Sequence, residues 1–136
     1  LWEDFSERIK VIQQLSDEVI GLDKDRLQQM RERLEKSVSD LKQTVDENRF
    51  EQELMYYLEK LDITEEKVRL NNHLDYFLQE LNSNDSNGKK LGFISQEIGR
   101  EINTTGSKSN FAPMQKVVVQ MKDELEKIKE QLLNVL

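Results

Sequence analysis

The sequence predicts an all-α chain, built as elongated antiparallel helical hairpins or a helical bundle with long amphipathic helices. Three observations carry this. Apolar residues recur at spacings of three and four through most of the 136 residues, the period of a helix that buries one stripe. Charged residues make up 35% against 36% hydrophobic, a balance closer to helical bundles than to compact α/β domains. One proline and five glycines leave few interruptions in long helices.

The elements follow in order. Trp2, Phe5, Ile9, Ile12 and Val19 form a first stripe, with Ser16 in one slot. Gly21 is suited to ending that helix, and Asp23 or Asp25 to capping the next. Leu27, Met30, Leu34, Val38, Leu41 and Val45 form a second stripe, which Asp46, Glu47 and Asn48 interrupt. Leu54, Leu58 and Leu61 line one side of a third segment from about Phe50. Asp62 or Thr64 can then cap a helix, with Glu65 three residues after Asp62. Its stripe is Ile63, Leu70, Leu74, Phe77 and Leu81, with Lys67 between.

A polar loop is expected at 82–90. Leu91, Ile94, Ile98 and Ile102 predict a shorter helix ending before Gly106. Met114, Val118, Met121, Leu125, Ile128, Leu132 and Val135 hold a strict four-three spacing. That heptad seam requires a partner helix, within the chain or in a second copy. A hairpin between about 63–82 and 114–135 is expected. Pro113 falls in a first helical turn, where a missing N–H costs little. Tyr56, Tyr57, Tyr76 and Phe77 read as core or half-buried packing. By organisation, residues 1–61 are acidic connecting helices and 62–136 a C-terminal helical domain.

Composition excludes several functions. Without cysteine there is no disulfide or thiolate metal site, and a reducing, cytoplasmic setting is expected. No apolar run approaches the ~20 residues of a membrane span, and no signal-peptide pattern is present. The chain begins "LWEDF", already amphipathic and without Met, and reads as a fragment. The net charge of −7 argues against bulk nucleic-acid binding. Residues 86–122, however, hold six Lys and Arg against two Glu. That is a net +4 with −11 elsewhere, either a local phosphate-binding surface or a solvated helix face.

Three polar stretches could carry chemistry. Glu97 and Glu101, four apart, share a helix face. Two carboxylates there suit a hard divalent cation such as Mg²⁺ or Mn²⁺, although such pairs are common and Arg100 could pair with Glu97. Glu66, Arg69 and His73 line one stripe beside the apolar seam. His73, the single histidine, is either a metal ligand or proton-transfer group or a surface residue bonded to a nearby carboxylate. In "NTTGSKSN", Ser107, Ser109 and Asn110 can cap a helix, while Lys108 and helix-start N–H groups could cradle a phosphate. The alternative is a capped turn. No nucleotide-binding glycine motif, paired-histidine zinc motif or nucleophilic triad is present.

The residues "KKLGFISQEIGREINTTGSKSN", then "VVVQMKDELEKIKEQLLNVL", with "DITEEKVRLNNHL" upstream, resemble the C-terminal signature of the bacterial YicC/YloC family. The pieces cover most of 62–136 in the family's order; residues 1–61 match only in helical, acidic character. The resemblance implies a stress-associated, metal-dependent endoribonuclease acting on single-stranded RNA, with an N-terminal domain lacking here and assembly into a homo-oligomer, a hexamer for the full-length protein. It implies a functional surface of Glu66, Arg69, His73, Gln96, Glu97, Arg100, Glu101, Asn103, Ser107 and Lys108. In this reading Glu97, Glu101 and His73 act in catalysis. Glu66, Glu97, Glu101 and His73 hold Mn or Mg, while Arg69, Arg100, Asn103, Ser107 and Lys108 bind RNA. The sequence departs from the family's usual pattern at Phe111 and Pro113, where the family commonly has acidic residues on either side of the Ala at 112, and at Gly99, usually Asn. The competing readings are a non-catalytic helical oligomerisation or RNA-clamping module and a purely structural array.

Overall fold

A computed structural model describes residues 2–40, 46–83 and 88–135. Among the described residues there are five helices and no strand. They are α1 (Trp2–Asp40), α2 (Glu47–Lys60), α3 (Thr64–Leu81), α4 (Gly88–Lys108) and α5 (Ala112–Val135).

Helices α1, α3, α4 and α5 form a four-helix bundle in which neighbours run antiparallel. Phe5 near the start of α1 meets Phe77 near the end of α3 edge-on, ring centroids 6.2 Å apart. Arg8 of α1 pairs with Glu124 of α5 at 3.1 Å. Lys90 at the start of α4 pairs with Glu80 at the end of α3 at 3.2 Å. The expected hairpin of α3 with α5 is not formed. Each of these helices packs chiefly against α1 and α4 instead, so the two lie across the bundle diagonal. The α5 seam from Met114 to Leu132 is buried inside the chain. Its partners are α1 and α4, so it needs no second copy. Each large apolar side chain so buried contributes about 1.5–3 kcal/mol.

Gly21 does not end a helix. It is exposed, no atom lies within 4 Å of the position a Cβ would take, and α1 runs through it unbroken. An exposed mid-helix glycine costs about 0.5–1 kcal/mol, which packing on both sides of it outweighs. Gly106 likewise lies inside α4, which continues to Lys108. A Cβ there would meet Val118 Cγ1 at 3.0 Å, and one at Gly99 would meet Leu125 Cδ2 at 3.1 Å. These glycines therefore allow α4 and α5 to approach closely. Of the expected polar loop, Asn82 and Ser83 follow α3, residues 84–87 are outside the described residues, and Gly88–Lys90 already belong to α4.

Asp46 caps α2, accepting from the Asn48 N–H at 3.1 Å. Asp62 accepts from the backbone N–H and the hydroxyl of Thr64 at 3.3 and 2.7 Å, holding the start of α3. Pro113 sits in the first turn of α5. The second half of α1 leaves the bundle and pairs with α2, where Arg31 bonds Glu51 at 3.0 Å. There Met30, Leu34 and Val38 are half-buried; Leu41 and Val45 of the same stripe lie outside the described residues. Of the four aromatics expected in packing, Phe77 is buried, but Tyr56, Tyr57 and Tyr76 are exposed. The short α2 packs chiefly against α1, and Tyr76 lies under the Lys90 ammonium on the outer face of α3.

Candidate functional site

The site is built on the α3–α4 pair. Arg69–Glu101 and Glu80–Lys90 fix the antiparallel register. In that register each step along α3 matches one step back along α4, which brings His73 level with Glu97. The two stripes recognised in sequence, Glu66–Arg69–His73 and Glu97–Glu101, thus face one another across a single helix–helix seam.

Two of the carboxylates are buried, and both are held by cations. Glu101 is 5% exposed, and both its oxygens accept from Arg69 Nε at 3.1 Å. Glu66 is 2% exposed; its Oε1 accepts from Lys108 Nζ at 2.8 Å and lies 3.6 Å from Arg69. Oε2 of Glu66 is buried with no hydrogen-bond partner. Such a bare carboxylate oxygen is costly unless something else completes it. Arg69 is held further above its ordinary pKa by its hydrogen bonds with Glu101 and then Glu65. His73 and Glu97 are half-buried, and neither has a hydrogen bond or ion pair among the described residues.

Lys108 is tied down twice. Its ammonium also donates to the Asp62 carbonyl at 3.0 Å, and its own backbone carbonyl accepts from Arg26 at 2.8 Å. Arg26 is 1% exposed and pairs with Asp23 at 2.8 Å. A polar chain therefore runs Asp23–Arg26–Lys108–Glu66–Arg69–Glu101 through α1, α4 and α3. Sequence reading missed Arg26. The signal was present, because Ile12, Val19 and Arg26 are seven apart on one face of α1.

The small polar residues of the α4–α5 turn mostly close their own helix. Hydroxyls of Thr104, Thr105, Ser107 and Ser109 donate to the carbonyls of Arg100, Glu101, Thr104 and Thr105, at 2.6–3.0 Å. Gln115 of α5, also missed in sequence, donates to the carbonyls of Gly106 and Ser109. Ser109 is thus a buried part of the turn, not a free donor capping α5. Gln96, Arg100, Asn103 and Ser107 stand on the outward stripe of α4, all exposed. Arg100 has no ion pair among the described residues.

The donor set (three carboxylates and an imidazole on facing stripes, with one orphaned buried oxygen) suits a hard divalent cation in kind. Among the described residues, however, no three His, Asp or Glu side chains are gathered as a metal-holding group. In this conformation Arg69 and Lys108 stand where such an ion would neutralise Glu66 and Glu101.

An antiparallel four-helix bundle carrying a charged seam between two of its helices defines a helical domain with an ionic site between α3 and α4. The chain belongs to the YicC-like family. A family sequence model described as "Endoribonuclease YicC-like, C-terminal" matches residues 19–136. It is similar to a protein of Clostridioides difficile (strain 630) named "Probable endoribonuclease YicC", 37% identical over 138 residues, covering 99% of this chain and 47% of that one. It is also similar to the protein of the same name from Haemophilus influenzae (strain ATCC 51907 / DSM 11121 / KW20 / Rd), 35% identical over 132 residues, covering 92% and 46%. The chain thus spans just under half the length of these relatives. No helix among the described residues is long and apolar enough to cross a membrane.

Proposed function

We propose that this chain is the C-terminal helical part of a metal-dependent endoribonuclease that cleaves single-stranded RNA, and that the α3–α4 seam belongs to its active site. The observation that carries the reading is the convergence of buried Glu66 and Glu101 with Arg69 and Lys108, with His73 level with Glu97. The relatives' names support an RNA substrate. In the proposed site Glu66, Glu97, Glu101 and His73 would hold Mn or Mg. Bound there, the ion would supply an activated water and neutralise phosphate charge. Glu66 and Glu101 serve as ligands only when Arg69 and Lys108 release them. The released cations are then free to pair with an RNA phosphate. Arg100, Asn103 and Ser107, already exposed, offer phosphate contacts without rearrangement. We further propose that the full-length protein is a stress-associated, cytoplasmic homo-oligomer, a hexamer, as the family resemblance implies.

The test is cleavage of a single-stranded RNA by the full-length protein beside this chain, with and without added Mn²⁺. Metal-dependent cleavage by the full-length protein is expected. Its absence at every metal concentration would leave the helical clamping reading in its place.

A second measurement separates the two kinds of cation. Arg100→Ala should weaken RNA binding and reduce the log–log salt slope by roughly 0.7, one single-strand phosphate contact. Lys108→Ala should weaken binding too, but it also removes the nearer cation of buried Glu66, leaving only Arg69 at 3.6 Å, so its melting temperature should fall while that of Arg100→Ala stays put. Affinities at several salt concentrations, with thermal melts, decide this. An unchanged slope in both variants places the phosphates elsewhere.

A further inference from the structure

We infer that the groove between α4 and α5, on the flank of α4 away from α3, is a second track for the same single-stranded RNA, with Phe93 as a base-stacking platform. The inference rests on the RNA reading above and extends it to residues outside the α3–α4 seam. Phe93 is 65% exposed on a helix whose other large apolar residues are buried. It borders a recess of about 550 Å³ that includes Gly92, Gln96 and Lys129. An aromatic face left in water beside such a recess can take a nucleobase, and stacking of this kind tolerates any base.

The charge pattern continues from there. Gly99 and Gly106 lack side chains, and two lysines of α5 lie over them. Lys129 Nζ is 3.6 Å from the position a Gly99 Cβ would take, and Lys122 Nζ is 4.0 Å from that of Gly106. Lys122 and Arg100 have no ion pair among the described residues. Among the described residues Lys129 pairs only with Glu126, at 3.7 Å. Phe93 and Lys129 share the recess, Lys122 lies further along the same α4–α5 contact, and Arg100 stands on the adjoining outward stripe of α4, a span of about 20 Å from Phe93 to Gly106 at 1.5 Å per helical residue. Glu126 and Glu130 also border the recess, so its apolar floor suits a base better than a phosphate. The phosphates belong at the Lys122 and Arg100 end.

The experiment measures binding of a short oligouridylate to the full-length protein carrying Phe93→Ala, Phe93→Leu, Phe93→Trp or Lys122→Gln, at several salt concentrations. Thermal melts are recorded alongside. Phe93→Ala and Phe93→Leu should weaken binding about tenfold or more, as loss of one stacked base does, while Phe93→Trp should retain it. Lys122→Gln should reduce the salt slope by roughly 0.7. Wild-type affinity in Phe93→Leu with an unchanged slope in Lys122→Gln would overturn the track and leave the RNA reading standing. Unchanged RNA affinity with a lowered melting temperature in Phe93→Ala would also overturn it, and would assign the face to a protein contact. Failure of the wild-type protein to bind the oligonucleotide would overturn both readings.

Discussion

Replacing Glu97 and Glu101 together by glutamine should abolish metal-dependent RNA cleavage in the full-length protein, a loss of more than about a hundredfold. Charge stabilisation by a bound ion is worth several kcal/mol of the barrier. The substitution is close to isosteric, so the α3–α4 packing should survive it. Glu101 is buried and bonds Arg69 through both oxygens; a glutamine there keeps one acceptor and loses the charge. Arg69 retains Glu65 at 3.1 Å and Glu66 at 3.6 Å, so the cation is not stranded. We expect a stability loss of about 1.5–3 kcal/mol, the range for a hydrogen bond to a charged group. Glu97 has no partner among the described residues, so its change should alter stability little. Cleavage rates across a Mn²⁺ titration, with circular dichroism of the same sample, make the comparison. A folded double variant that cleaves like wild type would remove both carboxylates from the chemistry.

The second large effect belongs to Arg26. Arg26→Ala should lower stability by about 3 kcal/mol, at the lower edge for breaking a buried ion pair because Asp23 can still turn to water. The loss has two parts. A side chain 1% exposed leaves a void where it was, and the Lys108 carbonyl loses its donor. Arg26→Met should cost less, since it fills most of the volume. Arg26→Lys should not rescue, because one ammonium cannot reproduce a guanidinium that donates to a carbonyl from one nitrogen and sits against the Asp23 carboxylate with another. Urea denaturation midpoints order the three. Equal midpoints for Arg26→Ala and wild type would mean that the buried arginine does not hold the α4–α5 turn.

Much of the fold was legible because its physics is local. The stripes of α3 and α5 are written at spacings of three and four, and those residues, as far as Leu132 in α5, are buried. What failed was local punctuation overruled by tertiary packing. Gly21 and Gly106 are good helix ends in isolation, yet α1 and α4 run through both. Reading Gly21 as a stop also hid Arg26, whose place on the face of Ile12 and Val19 shows only if the period continues. The neighbour of α5 could not be read, because its seam fits any apolar face and only the ring of four helices selects α1 and α4 over α3.

At the candidate site, the stripe of Glu66, Arg69 and His73 and that of Glu97 and Glu101 were visible as spacings. Their coupling was not. Lys108 and Glu66 are 42 positions apart, and their meeting depends on the α3–α4 register. That contact turns an expected phosphate-binding lysine into the partner of a buried carboxylate. Phe93 went unnoticed because exposure, its informative property, is invisible in a sequence.

The unbroken course of α1 has a mechanical consequence. Its apolar contacts with the bundle end near Leu22, and Arg26 is the last fully buried side chain along it. Beyond Arg26 some 14 residues of α1 continue to Asp40, about 21 Å of stiff rod at 1.5 Å per residue. Arg26 is therefore a fulcrum, and it is also joined through Lys108 to Glu66. A tilt of about 10° at that point carries the far tip of α1 by about 4 Å over such a length, and α2 is drawn along with it. A bend of that kind would turn a small displacement at the carboxylates into a larger one at the other end of the molecule, with α1 and α2 as the pointer.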